Sequence, residues 1–106
     1  MYVVLCNCPP EHAPVLARAL VDKRLAACVN LIPAVKSIYR WQGEVQDDAE
    51  VLLIAKTVAE RVPQLEAWLA EHQPYDCPAC VALEVASVEA AYLAWLRRHT
   101  VSERAD

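Results

Sequence analysis

The sequence predicts an α+β fold: a ferredoxin-like βαββαβ sandwich with a long hairpin between its second and third strands and an added C-terminal helix. Three observations carry this. Period-two stretches and helix-period stretches alternate in the order strand, helix, strand, strand, helix, strand, helix. Residues 24–57 read as one extended hairpin, with the chain's only glycine, Gly43, where it must reverse. No linker, repeat or low-complexity segment divides the 106 residues, so residues 1–101 are expected to form one domain, with a frayed tail over 102–106. Right-handed crossovers then place the first strand between the third and the fourth.

The first strand is expected over residues 2–7, stopped by Pro9 and Pro10, which cannot donate to a sheet ladder. A helix over 11–24 follows, with Pro14 in its first turn and Leu16, Ala19 and Leu20 facing the core. On the ascending hairpin arm Val29, Leu31, Val35, Tyr39 and Trp41 share one parity, the pattern of a strand. On the descending arm Val51, Leu52, Leu53 and Ile54 are apolar at both parities, as in a strand buried on both faces. A second helix spans 59–72, starting late enough to leave Pro63 in its first turn, with Val62, Leu65 and Leu69 inward. Residues 74–78 form a turn-rich connector and 81–85 the fourth strand. Ser87 is the expected N-cap of a last helix reaching about residue 98, with Glu89 near its positive end.

Composition narrows the functional classes. Apolar residues make up 57% of the chain, against a usual ~45–50%, which points to burial between subunits. Each hairpin arm is about a dozen residues, twice the common ~5–6, and must outreach its own sheet or be covered. A net charge of −4 argues against nucleic acid or an anionic membrane as partner. No apolar run approaches the ~20 residues of a membrane span, and the N-terminus lacks the flanks of a signal peptide, so a cytoplasmic location is expected. No Ser/His/Asp pattern, Gly-rich phosphate loop or paired catalytic carboxylates occurs, so no enzyme is expected.

Five cysteines, Cys6, Cys8, Cys28, Cys77 and Cys80, cannot all pair within one chain. In a reducing compartment they are core packers, metal ligands or redox groups. Cys77 and Cys80 form a C-x-x-C, a spacing that lets two thiolates grip one ion. Cys6 and Cys8 point to one face of a strand. The expected topology gathers both pairs and His72 at one edge of the sheet, with Cys28 at the opposite edge. Up to five soft or borderline donors thus come from three elements, and two or more of the four thiols, with His72 possible, would suit copper, with zinc as a second possibility. Asp47, Asp48 and Glu50, just past the hairpin turn, read as a solvated acidic run. Lys56 interrupts an otherwise apolar strand and is expected to face a cleft with Tyr39, Trp41 or Tyr75. There it would suit a small anionic ligand, although a structural ion pair accounts for it equally well.

Several ordered blocks resemble the CutA family of divalent-cation tolerance proteins: residues 25–30 (LAACVN), 37–43 (SIYRWQG), Lys56-Thr57, 74–78 (PYDCP) and 92–96 (YLAWL). The resemblance covers about residues 2–98. It implies a ferredoxin-like fold, a tight homotrimer and a cytoplasmic, non-enzymatic protein of tolerance to copper and other divalent metals. Some members of that family are described as binding copper through a first-strand cysteine and two adjacent histidines, positions matched here by Cys6 and His72. The second histidine is Gln73 in this chain, and Ala79 stands where the family has a glutamate, so two donors are lost and Cys8, Cys77 and Cys80 are added. Between subunits of a trimer, clefts would offer sites for a small ligand.

Overall fold

The structure is a computed structural model describing residues 1–101; the tail expected over 102–106 lies outside the described residues. The elements run β1 (Tyr2–Cys8), α1 (Ala13–Asp22), β2 (Cys28–Trp41), β3 (Glu44–Thr57), a 3-10 turn (Ala59–Arg61), α2 (Val62–His72), β4 (Cys80–Glu84) and α3 (Ala90–Arg98). The sheet order is β2-β3-β1-β4, with every neighbouring pair antiparallel. This is the expected sandwich, with the first strand between the third and the fourth.

Alternation sorts the sheet into two faces. Val4, Cys6 and Cys8 of β1 and Val51, Leu53 and Ala55 of β3 are buried beneath Leu16 and Leu20 of α1 and Leu65 and Leu69 of α2, forming the main core. The opposite face carries Val3 and Leu5, Leu52 and Ile54, Ile32, Val81 and Leu83, and these stay half-buried or exposed. Among the described residues α1 and α2 pack on the other face, and α3 meets this one at its Lys56 end, through Tyr92. Thr57, fully buried, donates from Oγ1 to the Leu25 carbonyl at 2.7 Å and ties the start of β2 to the end of β3. At the same end, the Arg61 guanidinium donates twice to the Thr100 carbonyl, at 3.0 and 2.8 Å, fastening the end of α3 to the start of α2.

The hairpin is longer than expected, with 14 residues in each arm. At ~3.3 Å per residue that is ~46 Å, which accounts for the 48 Å long axis of the molecule. The radius of gyration, 14.6 Å, exceeds the ~13 Å of a compact chain of this length. Gln42 and Gly43, with φ of 51° and 82°, form the two-residue reversal between Trp41 and Glu44, where positive φ at both positions matches the twist of the arms.

One feature of β2 departs from the sequence pattern. Ile32 pairs with Leu52 and Val35 with Glu50, so Pro33 and Ala34 together oppose the single residue Val51. Ala34 takes the left-handed φ of 61° at this bulge. Val29 and Leu31 therefore share the helix-side face with Ala55 and Leu53. Val35, Tyr39 and Trp41 share the open face with Glu50, Gln46 and Glu44. Their common parity in the sequence does not place them on a common face.

At the last helix the N-cap is Glu89 rather than Ser87. Its carboxylate accepts from the Ala91 and Tyr92 amides, both at 2.9 Å, which holds its pKa below the usual carboxylate value.

Candidate functional site

The donors expected to converge lie at one end of the sheet but do not form a single cluster. Cys6 sits directly opposite Cys80 across the β1–β4 ladder, and Cys8 follows on the same face of β1. Cys6 and Cys8 are 1% and 0% exposed, packed in the main core. The Cys8 thiol donates weakly to the Val51 carbonyl at 3.9 Å, and the Cys6 thiol to the Asn7 carbonyl at 3.7 Å. Cys80 is half-buried and Cys77 exposed, while Cys28 pairs with Lys56 at the other end. His72 is exposed, stacked on Trp68 with ring centroids 4.2 Å apart, and its Nδ1 lies 2.9 Å from the Trp68 carbonyl. Among the described residues no three of His, Cys, Asp and Glu come together to hold a metal ion. The five expected donors are therefore not gathered at one point among the described residues of the single chain. What the fold does assemble is the facing pair Cys6 and Cys80.

These thiols are electrostatically discouraged from ionising. Burial, with the neighbouring Cys80 and Cys8 thiols and Glu50 adding to it, pushes Cys6 up to about 12 from the ordinary 9.0. Burial and then Glu50 push Cys8 up to about 11, and burial raises Cys80. A raised folded-state pKa contributes stability that is present below the unfolded value and lost as pH rises through the folded one. Stability is therefore expected to hold below pH ~9 and to fall from there towards pH 11–12, measured by urea unfolding across that range. A Cys6→Ala/Cys8→Ala variant should show a shallower fall; an equal slope would show that the buried thiols are not its source. By the same logic, alkylation at neutral pH should label Cys77 first and spare Cys6 and Cys8 until the chain unfolds, read by peptide mass spectrometry.

A cleft of about 570 Å³ opens on the face of the sheet opposite the main core. Tyr39 and Trp41 of the hairpin and Tyr75 of the α2–β4 connector supply its aromatic walls, and Asp76 and Cys77 also border it. Its most buried lining side chain is Glu50, 7% exposed. The Tyr75 hydroxyl donates to Glu50 Oε2 at 2.5 Å, and Asn7 Nδ2 donates to Glu50 Oε1 at 3.3 Å and to Ser37 Oγ at 3.4 Å. The Tyr39 hydroxyl donates to Asp48. Burial, and then the bond to Glu50, raise the Tyr75 phenol well above its ordinary value. On Tyr39 the bond to Asp48 is the main cause of an upward shift. Both phenols thus remain donors at neutral pH.

Of the residues expected to share a cleft, Tyr39, Trp41 and Tyr75 are brought together and Lys56 is not. Lys56 lies six residues along β3 from Glu50, ~20 Å at strand rise, and its Nζ stands 5.9 Å from the Tyr92 ring centroid of α3. It makes a cation–π contact there rather than a ligand site. The acidic run is not a solvated loop: it lies within β3, and its last member is the buried base of the cleft. Sequence reasoning missed Glu50, Asn7 and Ser37. The signal available for Glu50 was its parity with Leu52 and Ile54, which places it on an apolar face.

Comparison with known proteins agrees with this architecture. The family model for the CutA1 divalent ion tolerance protein matches residues 2–99. The divalent-cation tolerance protein CutA of Thermus thermophilus is 48% identical, the match covering 92% of this chain and 96% of that protein. The human protein CutA is 46% identical over 91% of this chain, which spans only 54% of that longer relative. The solved structure of the divalent cation tolerance protein from Thermus thermophilus superposes with a TM-score of 0.89, covering 94% of this chain and 99% of that one. A structure named PII-like protein CutA, from Nostoc sp. PCC 7120 in apo form, gives 0.90 at 39% identity, covering 94% and 97%. No helix among the described residues is long and apolar enough to cross a membrane. With a family match spanning nearly the whole chain, a 48% identical relative and a closely superposing fold in three dimensions, this chain belongs to the CutA1 family of divalent ion tolerance proteins.

Proposed function

We propose that the chain assembles as a cytoplasmic homotrimer and serves divalent-cation tolerance without catalysis, by binding a small ligand in the open-face cleft. The cleft carries this reading, because aromatic walls and a few convergent polar groups are what small-molecule sites share. Assembly is supported by the apolar open face, most of which stays half-buried or exposed among the described residues, and by a hairpin that outreaches its own sheet. The test is a mass measurement in solution, expected at three times the 11.8 kDa chain mass, followed by a thermal-shift screen of metabolites and metals. A single-chain mass, or a screen without a stabilising compound, would count against the respective half.

A second reading keeps copper as the ligand, and the facing of Cys6 and Cys80 favours it. Thiolate pairs select Cu(I), and two opposed sulfurs match its low coordination number, with Cys77 close in sequence to Cys80. Zinc, which usually takes four ligands, finds fewer donors here. Anaerobic Cu(I) titration of the reduced protein should show one site per chain, lost in Cys6→Ser and weakened in Cys77→Ser/Cys80→Ser. Undiminished affinity in the latter would remove Cys77 and Cys80 from the site.

A further inference from the structure

We infer that the open-face cleft is built for a small organic cation with an apolar body, such as an amine or a quaternary ammonium. This rests on the reading of the cleft as a ligand site and goes beyond it by naming the chemical class. Three features of the lining carry it.

The first is the sign of the charge. Glu50 and Asp76 line the cleft, Asp48 sits beside its Tyr39 wall, and among the described residues the lining contains no Lys, Arg or His. Lys56, the cation expected there, stands at the far end of β3. An anion would meet carboxylates without a counter-charge.

The second is that Glu50 is buried and, among the described residues, held only by neutral donors, the Tyr75 hydroxyl and the Asn7 amide. Among the described residues it makes no ion pair. Buried charges are ordinarily paired, so the geometry leaves room for one positive partner. The field of this carboxylate is felt at Tyr75, Tyr39, Cys8 and Cys6, all of which it pushes up.

The third is the walls. The faces of Tyr and Trp rings attract cations most strongly where water is excluded, and rings arranged around a cavity are the usual cage for quaternary ammonium groups. A metal ion is the wrong cation, because no three metal-binding side chains converge among the described residues. A volume of about 570 Å³ also far exceeds a bare ion. A cation carrying an apolar body satisfies both the carboxylate and the rings.

The test uses three probes that share one ring: benzyltrimethylammonium, benzyl alcohol and benzoate. Each is titrated into the native assembly by calorimetry. The cation should bind at least about tenfold more tightly than the neutral probe, and benzoate most weakly. Glu50→Gln should weaken the cation about tenfold and leave benzyl alcohol unchanged. Trp41→Leu, at an exposed position remote from the main core, should also weaken the cation, and guards against a folding defect in the first variant. Equal binding of all three probes, or preference for benzoate, overturns the cation while leaving the cleft a ligand site. If none of the three binds but the metabolite screen finds a cleft ligand sensitive to Trp41→Leu, the cation fails and the cleft stands. If nothing binds at all, as when a basic side chain of a neighbouring copy fills the cleft, both fail.

Discussion

Replacing Leu53 by Ala should cost roughly 3–5 kcal/mol of stability, the largest single-site loss expected in the chain. Leu53 is 1% exposed at the middle of β3, with Cys6 of β1 on one side and Leu31 of β2 on the other, beneath both α1 and α2. Truncation removes three carbons from a site walled by two strands and two helices, so neighbours can close little of the resulting cavity. The change is read by urea denaturation at fixed protein concentration, since assembly makes apparent stability depend on concentration. A loss below ~1 kcal/mol would mean that the sheet and helices relax into the space, and that the core is looser than its burial indicates.

On the proposed homotrimer Ile54→Asp should have the largest effect, converting three-chain particles to single folded chains. Ile54 is the next residue along β3 and faces the other way, at the centre of the open face, with Leu5 and Asn30 as its lateral partners. In an isolated chain an aspartate there remains half in water and lies outside both buried clusters. In an assembly that buries this face, an unpaired carboxylate would cost several kcal/mol in each of three copies. Circular dichroism should therefore stay native while the mass in solution falls to that of one chain. Persistence of the three-chain mass would show that the subunits meet elsewhere. The two substitutions are adjacent in sequence and opposite in consequence because a strand turns successive side chains to opposite faces.

The architecture was legible because its signals are local and redundant. Gly43 marked the reversal, the prolines marked the end of β1 and the start of α2, and the doubly apolar run of β3 announced a central strand. Pairing then left little choice of order. The bulge at Pro33 and Ala34 was not legible. Either residue can continue a strand in the sequence pattern, and only the partner's register reveals that two residues oppose one. The error propagated to the faces of Tyr39 and Trp41. Glu50 was hidden for a related reason: charge in a run of acids reads as solvent exposure, and its burial comes from Tyr75, 25 residues away. The capping role of Glu89 was displaced onto Ser87 because hydroxyl residues are favoured at that position, although a glutamate can fill it when the backbone turns correctly. The thiols were placed at the right end of the sheet. What spacing could not say is that Cys6 and Cys8 point into the core while His72 lies on the outside of α2, stacked on Trp68.

The bulge also governs how the gene can vary. Beyond Pro33 and Ala34 the outer hairpin is out of phase with the inner half by one residue, and this offset turns Tyr39 and Trp41 towards Glu50. Deleting the single codon for Ala34 would leave composition, turn and apolar content nearly intact and could preserve a full ladder. Pro33 alone would then oppose Val51, Val35 would still face Glu50, and both rings would keep their side of the sheet. Length, here, is inherited information: a one-residue deletion within the bulge is absorbed, whereas one beyond a retained bulge, at Lys36 for example, would carry both rings to the other face.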